Sequence, residues 1–401
     1  MKKTWVKKRH STVKKFLHIL LVPYLKRKYG FTYEHFSDTD NRPYLILANH
    51  QTPMDQFMFA ACFNKLVYFI ASEDIFSIPF GKTIRHLVAP IPFIKSKKNI
   101  SSIITCKQIA KEGASIFMMP EGNRTYSGVT EYINPTVTKL AKMLKLPIGF
   151  MVLRGGYGVR PRWSENIRKG TTHCAVKSVL EYETYKDWSE QQLYEYICKE
   201  LYVDESNDNN EYCGKNLAQY IERAIYYCPH CGVTHFVSRG NEFTCTMCLL
   251  TVIYNPNKQF SSKDENPPPF KNIKEWYDAQ RVYLLNLDYD NLRGQVTSDK
   301  VKVFKVFLLK KKKKLFSNAL LTLFADKVVM EKCNQYLQCD FLKTVESMTV
   351  LGKNKLEIFC GENVYQIVGD KHFNAVKYVN FFYKYKNFME GNHDSGQFLG
   401  L

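Results

Sequence analysis

Short apolar runs alternate with stretches of helical period from residue 43 onward. Tyr44-Leu45-Ile46-Leu47-Ala48 is an unbroken apolar run of strand length, and residues 57–62 continue at helical spacing. Residues 66–70, 115–119 and 146–153 predict further strands, with helices over residues 103–111 and 136–144 between them. Strand and helix in turn predict an α/β sheet flanked by helices, in a domain spanning residues 31–204.

The rhythm then changes. A helical stretch at residues 190–201 gives way to the polar run 204–211, which reads as a linker. Two CxxC pairs follow, then a second break at residues 255–266 with Pro267-Pro268-Pro269 behind it. After a helix at 274–287, short strands are expected at 301–307, 320–324, 328–330, 355–359 and 364–368, with a last helix at 372–385. Short strands closed by one C-terminal helix resemble a pleckstrin-homology barrel. The expected order is therefore a segment 1–30, the α/β domain, a small ribbon with its leading helix at 212–260, and a mostly β domain at 270–389.

Residues 1–30 carry Lys2, Lys3, Lys7, Lys8 and Arg9 ahead of an apolar run at 16–25, with Lys26, Arg27 and Lys28 after it. A signal peptide would place small residues there. The run is also about half the ~20 residues that cross a bilayer. Val13, Phe16, Leu17, Leu20 and Leu21 recur at helical spacing, so a basic amphipathic helix lying on an anionic lipid surface is expected; a helix packed on the main domain is the alternative. The whole chain of 401 residues has a formal charge of +19, which calls for an anionic partner, lipid or nucleic acid. Twelve cysteines without a disulfide framework point to a reduced, cytoplasmic setting.

The chemistry concentrates at two places. Asn49-His50-Gln51-Thr52-Pro53-Met54-Asp55 follows directly on the first long strand. Thr52 suits an N-cap and Pro53 the first helical position, which would turn Asp55 back towards His50. A carboxylate there fixes one imidazole nitrogen as the donor and leaves the other to act as a base. The same residues also satisfy a plain capping box with His50 a bystander. Pro120-Glu121-Gly122-Asn123-Arg124-Thr125 follows another strand, at the end of the sheet where His50 is expected. Gly122 permits a tight turn and Arg124 offers a forked donor to phosphate.

In this order and spacing the two blocks resemble the glycerolipid acyltransferase family that includes 1-acyl-sn-glycerol-3-phosphate acyltransferases. That family carries NHxxxxD and PEGTR blocks; here Asn123 replaces the Thr of the second. Ile91-Pro92-Phe93-Ile94-Lys95 resembles the phosphate block between them, with Lys95 where Arg is usual, and Leu146-Pro147-Ile148 resembles the last block. The resemblance implies acyl transfer from acyl-CoA or acyl carrier protein to a lysophospholipid hydroxyl, most simply that of 1-acylglycerol-3-phosphate; another lysophospholipid or glycerol 3-phosphate is the alternative acceptor. His50 and Asp55 would be catalytic, Lys95 and Arg124 would hold phosphate, and Glu121 with Gly122 would shape the turn. No catalytic cofactor is implied. The sequence shows no obvious oxyanion hole; backbone N–H groups near the helix beginning at Pro53 are one candidate.

Cys228 and Cys231, then after thirteen intervening residues Cys245 and Cys248, have the spacing of a structural Zn²⁺ ribbon. The basic run at 310–314 reads as a hairpin loop, solvated or bound to anionic headgroups. A zinc-ribbon nucleic-acid-binding protein is a competing reading, but residues 226–254 contain Arg239 as their only Lys or Arg. A non-catalytic lipid-binding scaffold is a third, against which His50 and Asp55 both stand. The expected setting is thus a peripheral enzyme on the cytoplasmic face of a membrane.

Overall fold

The computed structural model describes residues 4–37, 42–72, 81–93, 100–208, 210–263, 266–289, 291–292, 294–307 and 312–391. They divide into two compact units. The first comprises Met1–Pro161 and Ile167–Glu205, the second Arg162–Asn166 and Ser206–Leu401.

The first unit opens with α1 (Lys8–Tyr29), which Gly30 ends in the left-handed region at φ 56°. A Cβ on Gly30 would lie 2.2 Å from the Gly170 carbonyl oxygen, so glycine is required there. The Glu112 carboxylate accepts the Trp5 and Val6 N–H groups just ahead of α1. Along the helix, His10 Nδ1 lies 2.8 Å from the Tyr68 hydroxyl, Lys14 Nζ donates to the Lys65 carbonyl at 2.6 Å, and Tyr29 accepts from Arg160 at 2.8 Å. Burial pushes the Lys14 ammonium down to about 8. No described helix is long and apolar enough to cross a membrane.

The remaining elements of this unit are β1 (Phe31–Tyr33), β2 (Leu45–Ala48), α2 (Asp55–Ala61), β3 (Val67–Ser72), α3 (Gly81–Leu87), β4 (Ile91–Phe93), α4 (Ile100–Lys111), β5 (Ser115–Met118), α5 (Thr136–Leu144), β6 (Ile148–Arg154), α6 (Gly156–Val159), β7 (Thr172–Leu180), α7 (Tyr182–Tyr185) and α8 (Glu190–Leu201). The strands form one sheet in the order β1-β7-β6-β2-β5-β3-β4. From β6 to β4 every pairing is parallel; β7 runs antiparallel to β6, and β1 follows β7. This is the expected α/β sheet. Leu45, Leu47, Ile116, Ile148 and Phe150 alternate onto one face, where Val137, Ala141, Leu193 and Ile197 of α5 and α8 cover them. The strands β1 and β7 were not anticipated; β7 mixes Thr, His, Lys and Ser with its apolar positions and so lacks a clean period.

The second unit continues through β8 (Tyr227–Cys228), β9 (Gly232–Val233), β10 (Phe236–Arg239), β11 (Glu242–Cys245), β12 (Thr251–Tyr254), β13 (Phe260–Ser261), α9 (Ile273–Leu285), β14 (Thr297–Val306), β15 (Lys313–Leu323), β16 (Lys327–Lys332), β17 (Gln335–Asp340), β18 (Ser347–Leu351), β19 (Lys355–Cys360), β20 (Asn363–Val368) and α10 (Ala375–Met389). The strands β10 to β13 form a small antiparallel sheet. β8 and β9 pair with each other, and the seven strands from β14 to β20, in the order β17-β16-β15-β14-β20-β19-β18, form an all-antiparallel curled sheet in which β14 pairs β20. Val376, Val379, Phe381 and Phe382 of α10 are buried. Expectation and structure agree on a mostly β domain with one C-terminal helix. Two details differ. Lys310 and Lys311 of the basic run lie outside the described residues, while Lys312 donates to Gln366 and Lys313 and Lys314 start β15. The supposed break at 255–266 contains β13, because Phe260 packs against Trp276.

Candidate active site

The neighbours β2 and β5 run parallel with Leu47 opposite Met118, so both chemical motifs leave the sheet at the same end. After Ala48 the chain turns sharply around the Asp55 carboxylate. Oδ2 accepts from Gln51 N at 2.6 Å, and Oδ1 from Thr52 N at 2.8 Å and Thr52 Oγ1 at 2.5 Å. His50 Nδ1 lies 2.8 Å from Oδ2. Asp55 is fully buried; the imidazole keeps about a fifth of its surface exposed, with 19% of the side chain accessible.

This geometry differs from the expected cap. α2 starts at Asp55, not Pro53, and Thr52 Oγ1 accepts from Met54 N in the turn ahead of it. The carboxylate accepts the Thr52 N–H as a capping box would, and takes the Gln51 N–H besides. The Gln51 and Thr52 N–H groups are given to Asp55 and that of Met54 to Thr52.

The second motif grips His50 by its peptide. Glu121 Oε1 accepts His50 N at 2.7 Å, its Oε2 accepts Glu131 N at 2.8 Å, and Thr125 N donates to the His50 carbonyl at 3.1 Å. Glu121 is buried, and burial holds its carboxyl well above the usual range while the two N–H donors pull the other way. Its atoms are therefore turned inward, onto the backbone. Gly122 makes the turn at φ 63° and donates to the Met119 carbonyl. Arg124, on the far side of that turn, is half-buried. Lys95 lies outside the described residues, two positions beyond β4.

Three more residues hold the site. Asn49 closes a two-way bond with Leu153 on β6, donating at 2.9 Å and accepting at 2.8 Å. Gln51 donates to Glu205 at 3.0 Å and accepts from Tyr157 N at 3.2 Å; Glu205 also accepts from Gly155 N. A Cβ at Gly156 would sit 2.6 Å from Gln51 Oε1, so any side chain there would push Gln51 out of these bonds. The Gly155-Gly156 pair after a strand was a readable turn signal. Glu205 was not: it lies in the polar run taken for a linker, yet is buried.

In the second unit, Cys228, Cys231, Cys245 and Cys248 come together with their sulfurs within 4.8 Å of one another. His230 and His235 are exposed.

Residues 31–157 match the family model described as Acyltransferase. The matched residues lie within the first unit. It is similar to two curated chloroplastic 1-acyl-sn-glycerol-3-phosphate acyltransferases. BAT2 of Brassica napus is 26% identical over 179 residues, 44% of this chain and 50% of that protein. LPAT1 of Arabidopsis thaliana is 27% identical over 133 residues, 33% of this chain and 36% of that protein. The chain spans about half the length, or less, of these relatives. The 1-acyl-sn-glycerophosphate acyltransferase PlsC of Thermotoga maritima aligns with a TM-score of 0.40 and 19% identity, over 47% of this chain and 77% of that one.

Because four donors converge on Asp55, its replacement should weaken the fold as well as the site. Asp55→Ala leaves buried N–H groups unmet and should lower stability by about 3 kcal/mol, with Asp55→Asn losing less because one oxygen remains. Urea unfolding of both variants against the wild type measures this; unchanged midpoints would mean that the turn does not depend on the carboxylate.

Proposed function

We propose that this protein is an O-acyltransferase that moves a fatty acyl group from acyl-CoA or acyl carrier protein to the hydroxyl of 1-acylglycerol-3-phosphate. The observation that carries this reading is the His50–Asp55 contact at 2.8 Å, at the strand ends where the Glu121–Arg124 turn also lies. With Nδ1–H held by the carboxylate, Nε2 is the nitrogen that accepts a proton. It takes the acceptor hydroxyl proton as that oxygen attacks the thioester carbonyl; the C–S bond breaks, and the thiolate leaves and is protonated. General-base assistance of this kind supplies about 10²–10⁴-fold. Arg124 and Lys95 hold the acceptor phosphate. Glu121 acts through the peptide of His50 rather than on the substrate.

An anionic lipid surface fits α1. Its inner side is tied to the domain by His10, Lys14 and Tyr29, while Phe16 at 60%, Ile19 at 70% and Leu20 at 54% exposure stand on the outside, with Lys15, Lys26, Arg27 and Lys28 exposed beside them. The two alternatives for this segment thus merge: one face packs and the other is offered to lipid. Exposed apolar side chains flanked by cations suit an interfacial helix on the cytoplasmic face of a membrane. Tyr29, which bonds Arg160 just beyond α6, brings the basic end of α1 towards the site.

His50→Ala should cut acyl transfer by about 10²-fold or more while leaving the unfolding midpoint nearly unchanged. Arg124→Ala should chiefly raise KM for the lysophospholipid. Thiol release from acyl-CoA, followed across acceptor concentrations, measures both; wild-type turnover in His50→Ala would remove the base assignment.

The double variant Phe16→Ser with Leu20→Ser should bind anionic vesicles at least tenfold more weakly, since each side chain contributes about 1.5–3 kcal/mol when fully buried and these two bury only in part. Its rate on a short-chain soluble acceptor should not change. Equal vesicle binding would mean that α1 is only a packed helix.

A further inference from the structure

The four cysteines of the second unit sit on two similar hairpins. Cys228 ends β8 and Cys231 precedes β9, which pairs back on β8 with Cys228 opposite Gly232. Cys245 ends β11 and Cys248 precedes β12, with Leu249 N returning to the Cys245 carbonyl. In each hairpin the first sulfur receives two backbone N–H groups: those of His230 and Cys231 point at Cys228, and those of Met247 and Cys248 at Cys245.

The separations discriminate between possible uses of this cluster. Zn–S bonds of about 2.3 Å set tetrahedral sulfurs about 3.8 Å apart. The observed contacts are 3.5 Å for Cys228–Cys248 and 4.0 Å for Cys231–Cys245. Both pairs join the two hairpins, and both are well beyond the ~2.05 Å of a disulfide. His235 is drawn elsewhere, 3.3 Å from Asp299. The donor set is thus four sulfurs, which leaves no open position for chemistry.

We propose that Cys228, Cys231, Cys245 and Cys248 bind one structural zinc ion, and that this ion sets the docking of α9 as well as the two hairpins. The link to α9 is direct. Gln280 Oε1 accepts Tyr226 N at 2.7 Å, and Trp276 Nε1 donates to the Tyr227 carbonyl at 2.7 Å, both beside Cys228. Trp276 lies within 5.3–5.7 Å of the rings of Phe236, Phe243 and Phe260, the core of the small sheet. A Cβ at Gly232 would meet the Tyr283 hydroxyl of α9 at 2.9 Å. The metal therefore holds two knuckles against one helix, and its binding energy becomes folding energy of that whole region.

The test uses the full chain, purified under reducing conditions without chelator. Metal analysis should find one zinc per chain; no stoichiometric zinc, or iron in its place, overturns the proposal. Cobalt exchanged into the site should show the intense bands of a tetrahedral tetrathiolate. Cys248→Ser should alter them, and Cys333→Ser, an exposed cysteine outside the cluster, should not. If Cys248→Ser fails to fold, hydrogen exchange of the wild type decides. Chelation should deprotect residues 226–254 together with α9, and added zinc should restore both. Exchange that ignores chelation, or changes in the hairpins alone, overturns the assigned role of the ion.

Discussion

A carboxylate taken wholly out of water loses several kcal/mol of solvation unless donors replace it. Asp55 finds four, from Gln51 N, Thr52 N, Thr52 Oγ1 and the His50 ring. The consequence runs both ways. The donors make the buried charge tolerable, and the charge in turn forces the backbone after β2 to fold tightly around it. The imidazole is then fixed in position and tautomer by the same group that ends the strand and starts the helix. Site geometry and local fold are here one interaction.

That turn is braced from three sides. Asn49 ties its start to β6 through Leu153, Glu121 and Thr125 hold the His50 peptide from the strand on the other side, and Gln51 reaches Tyr157 and Glu205. Each brace joins residues far apart in the chain, and each lies at the ends of parallel strands, where backbone polar groups have no ladder partner. A histidine on a free loop would lose rotamer and backbone entropy whenever it met a substrate; this one has lost it on folding.

The second unit solves a different problem. The small sheet β10–β13 is too short to bury a sizeable core by itself. It borrows Trp276 from α9 and brings four cysteines to one point. Further along, Lys377 and Asp299 form a buried pair at 2.6 Å, which Tyr378 joins as a donor to the same carboxylate. Asp299 is held down to about 2 by its bonds to His235 and Lys377 and by the charge of that lysine, against the opposing effect of burial.

Much of this was legible in the chain. The apolar runs located β2, β3, β5 and β6 to within a residue or two, because strands buried on both faces need no polar alternation. Local spacing also brought His50 to Asp55 and grouped the cysteines, since those contacts span 5 and at most 20 residues. The start of α2 was misjudged because residues 52–54 turn around the Asp55 carboxylate, which accepts from Gln51 and Thr52, before the first helical residue. Glu205 was hidden for a plainer reason: a glutamate among Asp, Asn and Ser has the composition of a solvated linker, and only the approach of Gln51 and Gly155 gives its oxygens a reason to be buried. By itself, then, the sequence determined which elements form and which residue types carry chemistry, because these depend on neighbours a few positions away. Tertiary structure alone decided that Glu121 faces inward onto the peptide of His50, that α1 offers Phe16, Ile19 and Leu20 to the outside, and that α9 supports the cysteine hairpins, because each of these is set by groups that meet only once the chain has folded.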